Sequence, residues 1–165
     1  MVYFITSSPF TEDGLRLINN DFIDNLRRFW NKSCNVLYIA SYPDDYEITG
    51  QYAGRHMNIF AESGFEIKSG IVLDRRNFGD AEKLVDNADV IILSGGHCFT
   101  EHTFFEELKL KELLKDFDGI IIGISAGSMN SAKHVYAPEE YEEELDNPDF
   151  VRYYEGLGLT EKNIY

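Results

Sequence analysis

Five short apolar runs, Val2 to Thr6, Val36 to Ala40, Phe65 to Leu73, Val90 to Leu93 and Gly119 to Ile122, recur along this chain of 165 residues. Each is rich in β-branched or aromatic residues and bounded by polar or glycine-containing stretches, which is how a buried strand reads. Helical periodicity fills the gaps. Leu15, Ile18, Phe22, Leu26 and Phe29 follow one another at three- and four-residue spacing and build one apolar face. Tyr46 to Ser63 reads as a second helix that stops at Gly64, and Asp80 to Asn87 as a short third. Phe104, Phe105, Leu108 and Leu113 mark a fourth, with Thr103 as its cap and Glu106 completing a capping box. Strand and helix alternate throughout. Parallel strands need crossover connections, and near-continuous apolar strands need cover on two faces. The pattern therefore predicts an α/β fold with a mainly parallel sheet between helical layers.

The length suits one domain, and a 44% hydrophobic share with 12 Phe and 10 Tyr is enough for a substantial core. The formal charge of −14 opposes nucleic acid and anionic membranes alike, so neither is expected as a partner. Cys34 and Cys98 lack C-x-x-C spacing, and Met1-Val2-Tyr3-Phe4 shows neither a basic region nor a signal-length apolar stretch. These features point to a reducing cytoplasm. No apolar run approaches the roughly 20 residues that cross a bilayer. No cofactor is expected.

In such a sheet, ligands bind at the carboxyl ends of strands. Two segments fall there. Gly123-Ile124-Ser125-Ala126-Gly127 lies between the fifth apolar run and a stretch with helical spacing, Ser128 to Val135, which is the setting of a nucleophile elbow. Such an elbow holds its nucleophile in a strained turn at the amino end of a helix, where the N–H of Ala126 would face a developing oxyanion. Ser94-Gly95-Gly96-His97 follows the fourth run, and its paired glycines allow a second backbone N–H to approach the same oxygen. Pro138 to Asp149 crowds seven carboxylates together and reads as a solvated loop or short surface helix. It lacks the ordered pattern of a calcium loop, and no metal is expected.

A serine hydroxyl needs a base, normally His. Of the four histidines, His134 lies about 13 Å from Ser125 if the helix runs on unbroken. His56 falls in the second helix as a partly exposed surface residue, and His102 near a helix start in a capping or surface role. Only His97 is located where a substitute base or a substrate contact could stand.

The pairing of S-G-G-H at 94 to 97 with G-I-S-A-G-S at 123 to 128 resembles the α-aspartyl dipeptidase (peptidase E) family of serine peptidases, to which cyanophycinase is related. Strand spacing, the helix near Thr103 and Gly156-Leu157-Gly158-Leu159 extend the likeness over nearly all of the chain. The resemblance implies a three-layer sandwich like the class I glutamine amidotransferases (flavodoxin-like), with Ser in the nucleophile position and a Ser-His-Asp/Glu relay. Carried over by position, it makes Ser125 the nucleophile and gives Gly96 and Ala126 the oxyanion N–H groups. Members often have Asn where this chain has His97. In that family the relay His comes from a strand after the Gly-Leu-Gly-Leu segment, where this sequence reaches Asn163-Ile164-Tyr165. The expectation is a single α/β hydrolytic domain over 1–165 without the family's C-terminal portion, either a piece of a longer peptidase or a shortened relative.

The leading functional expectation is a cytoplasmic serine-type peptidase that hydrolyses small peptides through a Ser125 acyl-enzyme, with a homodimer among the possible assemblies. The alternatives are a non-catalytic domain that binds a small ligand or peptide, and an amidotransferase-like acyl-transfer enzyme. The last is disfavoured because those enzymes generally place Cys at the elbow.

Overall fold

A computed structural model describes residues 1–18, 20–145 and 147–164. Its centre is a five-stranded parallel sheet of β1 (Val2–Thr6), β2 (Cys34–Ile39), β3 (Ile67–Leu73), β4 (Val90–Leu93) and β5 (Ile120–Ile124), in spatial order β1-β5-β4-β2-β3. Side-chain alternation explains the uninterrupted apolar runs. Val36, Tyr38, Val90, Ile92, Ile120 and Ile122 enter a core with Leu26, Trp30 and Phe60, while Leu37, Ile39, Ile91, Leu93 and Ile121 enter another with Phe104, Phe105 and Leu110. The first core is closed by α1 (Asp21–Phe29) and α2 (Tyr46–Glu62), the second by α3 (Ala81–Asp86), α4 (Cys98–Leu108) and α5 (Leu110–Leu113). The result is the expected three-layer α/β fold.

A short helix and a two-stranded hairpin follow β5. The five-residue helix α6 (Ala126–Asn130) leads into an antiparallel pair, β6 (His134–Tyr136) with β7 (Tyr153–Glu155). A small cluster of Cys98, Ala126, Ala132, Val135 and Ala137 packs this hairpin against α4 and α6. Among the described residues, no helix is long and apolar enough to cross a membrane.

Three local expectations are corrected. Leu15 and Ile18 share helical spacing with Phe22 and Leu26, yet α1 begins only at Asp21, where the Asn20 side chain accepts the Ile23 N–H. Upstream, Thr11 and Asp13 organise a turn through Gly14 at φ 62°, and Phe10 bridges Leu17. The fourth helix begins at Cys98, and its cap is His97. Thr103 sits inside the helix, donating its hydroxyl to the Phe99 carbonyl. Finally, Ser128 to Val135 does not form one helix. Lys133 N–H bonds the Thr160 carbonyl and Leu157 N–H bonds the Asn130 carbonyl, so contacts from the C-terminal stretch draw the backbone away after residue 130.

Candidate active site

Ser125 leaves β5 with φ 48° and ψ −112° and is exposed, although Ile124 and Ala126 on either side are buried. A non-glycine residue in such a region carries strain of order 1–3 kcal/mol and persists only where its surroundings over-determine it. Here they do. Ser125 N–H donates to the Thr6 carbonyl at 2.9 Å, and the Ser125 carbonyl accepts from Ser128 N–H at 2.9 Å and Met129 N–H at 3.0 Å. The buried Ser128 hydroxyl lies 2.6 Å from the Gly123 carbonyl and 2.9 Å from the Thr6 carbonyl, and accepts the Thr6 N–H at 3.1 Å. It thereby ties β1, β5 and α6 at one point.

The glycines of the motif are required by contact, since neither has a positive φ. A Cβ on Gly123 would stand 2.9 Å from the Ser128 Cα, and one on Gly127 would stand 2.6 Å from the Leu93 carbonyl carbon. Gly127 lets α6 lie directly on the end of β4.

The segment Ser94 to His97 runs beside the elbow. The Ser94 carbonyl accepts Gly127 N–H at 3.0 Å, and the Gly95 carbonyl accepts the Ser41 hydroxyl at 2.8 Å. A Cβ on Gly95 would meet the Ser125 Cβ at 3.3 Å, so this loop abuts Ser125. Gly96 is pressed against Ser41 and Tyr42, where a Cβ would come within 2.7 Å of the tyrosine ring. Among the described residues, neither the N–H of Gly96 nor that of Ala126 has an acceptor. Ala126 is the first residue of α6, where a helix leaves its N–H groups free. A cleft of about 380 Å³ opens between the end of β1 (Ile5, Thr6, Ser7), the elbow (Ser125, Ser128, Met129) and Ile164. That volume is at the lower end of small-molecule sites.

Three of the four histidines have partners away from Ser125, and His134 is exposed in β6. His97 Nδ1 accepts the Thr100 N–H at 3.2 Å, which leaves the proton on Nε2, 2.8 Å from Glu144 Oε1. Its ring packs on Tyr141 at 4.4 Å. Both nitrogens are thus used to cap α4 and to hold the acidic segment, and the role of substitute base expected for His97 does not agree with this placement. His56 is partly exposed, as expected, with its ring stacked on Phe10 at 4.2 Å and bonded to the Tyr38 hydroxyl at 3.1 Å. Burial pushes its imidazole down to about 4. His102 stacks on Tyr154 at 3.8 Å, and His134 lies in β6 instead of on a helix shared with Ser125. Among the described residues, no histidine is bonded to Ser125.

The acidic segment is largely exposed, with Glu140, Glu142, Glu143 and Asp149 open to solvent, but Glu139 and Glu144 turn inward. A 3-10 turn at Glu142–Glu144 points Glu144 at His97 while Glu144 Oε2 accepts the N–H groups of Glu140 and Tyr141. Glu139 pairs with Arg152. Among the described residues, no group of three or more His, Cys, Asp or Glu side chains is arranged to hold a metal ion. Sequence reasoning missed the Glu144–His97 clamp and the Ser128 tie. A histidine in the cap position and a second serine three residues after the first were the available signals.

The family model of peptidase family S51 matches residues 4–165. Among solved structures, the chain is similar to a protein from Listeria monocytogenes EGD-e assigned as a peptidase E, at 17% identity and a TM-score of 0.68. That likeness covers 96% of this chain and 75% of the other, and it is a likeness of fold. No curated protein matches. The match over nearly the whole length places the chain in peptidase family S51, a family of serine-type peptidases.

Proposed function

We propose that this chain is a peptidase acting on short peptides, with Ser125 as the nucleophile and the N–H groups of Gly96 and Ala126 as the oxyanion donors. The observation that carries the proposal is the exposed Ser125 at φ 48°, at the carboxyl end of β5 and beside a cleft of about 380 Å³. Attack of Ser125 Oγ on a peptide carbonyl places negative charge on the carbonyl oxygen, and fixed backbone N–H groups stabilise that charge more than they stabilise the ground state. Collapse of the tetrahedral species breaks the C–N bond, the departing amine takes up the proton given up by the Ser125 hydroxyl, and the ester left on Ser125 is then hydrolysed by water. The size of the cleft favours a substrate of a few residues. A reducing, cytoplasmic setting accords with Cys34 and Cys98, both free and buried.

A second reading, a peptide-binding domain without turnover, draws on one observation: among the described residues, none of the four histidines is bonded to Ser125, with His97, His56 and His102 engaged elsewhere and His134 exposed in β6. Hydrolysis of a dipeptide panel by the wild type and by Ser125→Ala separates the two. Turnover that disappears in the variant supports the peptidase, and equal turnover in both overturns it. Saturable binding without turnover in either protein favours the second reading.

A further inference from the structure

Asn130, the last residue of α6, is fully buried at a junction of three elements. Its Nδ2 donates to the Cys98 carbonyl at 2.9 Å and to Glu101 Oε2 at 2.8 Å, both on α4. Its Oδ1 accepts the Tyr154 hydroxyl of β7 at 2.8 Å, and its carbonyl accepts Leu157 N–H at 2.8 Å. Glu101 is 0% exposed, and its Oε1 has no partner among the described residues.

The ionisable groups facing Glu101 are Tyr3 from β1, Tyr38 from β2, Cys98 from its own helix, Tyr154 from β7 and Glu140 from the acidic segment. From α6 it accepts a hydrogen bond from the neutral amide of Asn130. No cation faces it among the described residues. A carboxylate with one bare oxygen in such surroundings is strongly disfavoured, whereas the protonated acid is tolerated.

The location matters because α4 starts directly after Gly96 and His97, and α6 starts directly after Ser125. Whatever joins the first turn of α4 to the end of α6 also sets one loop against the other. We propose that Glu101 is a positioning residue, held as a neutral acid, which through Asn130 locks α4 to α6 and so places the Gly96 N–H relative to Ser125. This rests on the assignment of Ser125 as nucleophile and Gly96 as oxyanion donor.

The sign of the pH dependence follows from burial. Burial holds the Glu101 carboxyl well above the ordinary carboxylate range. The folded chain therefore keeps a proton that the unfolded chain releases near pH 4.3, and the stability tied to that proton declines as pH rises above about 4.3 towards the folded value. Glu101→Gln retains an acceptor for Asn130 and cannot ionise. Glu101→Met keeps the length and removes the acceptor, and Asn130→Ser replaces the amide that reaches Glu101 and the Cys98 carbonyl by a shorter hydroxyl.

The test combines thermal unfolding of the wild type and Glu101→Gln between pH 5 and 8 with hydrogen exchange over residues 94–100 and 125–131 in all four proteins. The expected result is that Glu101→Gln gains on the wild type as pH rises and exchanges like it in both segments. Glu101→Met and Asn130→Ser should speed exchange in both segments together, by roughly tenfold or more, the scale of a lost buried hydrogen bond. A pH-independent difference between the wild type and Glu101→Gln overturns the neutral acid. Unchanged exchange, or faster exchange confined to one segment, overturns the positioning role. None of these readouts requires turnover, so a failure of the Ser125 assignment stays distinguishable.

Discussion

Replacing Gly127 by alanine tests the packing that shapes the elbow, and the same substitution at Gly54 supplies a control of opposite sign. At Gly127 the new Cβ would stand 2.6 Å from the Leu93 carbonyl carbon and 2.8 Å from its Cβ. No rotamer change relieves a clash with backbone, so α6 must shift off β4, and the Gly127 N–H to Ser94 carbonyl bond of 3.0 Å shifts with it. Overpacking of this kind destabilises by about 1–3 kcal/mol, and losing the hydrogen bond adds about 1 kcal/mol. The better helix propensity of alanine returns at most about 1 kcal/mol. The net is a loss of about 1–3 kcal/mol, or a fall in Tm of roughly 2–12 °C for a chain of this size. Gly54, inside α2, has nothing within 4 Å of the added Cβ. There alanine should stabilise by about 0.5–1 kcal/mol through backbone entropy and raise Tm by roughly 1–4 °C. Thermal unfolding followed by circular dichroism measures both. If Gly127→Ala proves as stable as Gly54→Ala, the close seating of α6 on β4 is wrong.

Two further perturbations probe the surroundings. His56 has a folded pKa of about 4, below its unfolded value of about 6.5, so the unfolded chain takes up the proton first. Stability present above pH 6.5 is then lost as pH falls towards 4, by up to about 3 kcal/mol. Urea unfolding of the wild type and His56→Phe should show their difference drifting against the wild type by that amount, and a constant difference refutes the half-buried neutral imidazole. Glu144→Ala removes the acceptor of His97 Nε2–H and of the Glu140 and Tyr141 N–H groups. Limited proteolysis between 138 and 149 should accelerate by about tenfold, the equivalent of about 1–2 kcal/mol, and an unchanged digestion rate refutes the clamp.

The legible parts of this fold were those governed by local pattern. Strands buried on both faces, such as Ile120 to Ile124, announce themselves as unbroken apolar runs, and α2 carries both its period and its glycine stop. The elbow was legible because strain and contact restrict composition: Gly123 and Gly127 have no room for a Cβ, and Ser125 between them is the exposed residue. The misreadings occurred where a tertiary partner decided the outcome. Leu15 and Ile18 keep a helical spacing but are claimed by the turn through Gly14. His97 is an unusual cap, accepting through a ring nitrogen where Ser, Thr, Asp or Asn is commonly found, so Thr103 was the stronger local signal. The segment after Asn130 was decided by bonds from residues 157–160, too distant in sequence for periodicity to register. Glu101 was invisible for the same reason: a glutamate on a helix reads as solvated until the packing around it is known.

The central claim is that Ser125 is the reactive serine. Treating the folded protein with a fluorophosphonate and mapping the adduct by peptide mass spectrometry tests it directly, because the reagent requires a serine exposed at a site that stabilises a tetrahedral oxyanion. One adduct is expected, on the peptide carrying Ser125, that disappears in Ser125→Ala and survives in Gly54→Ala. An adduct on another serine, or equal labelling of the wild type and Ser125→Ala, would contradict it.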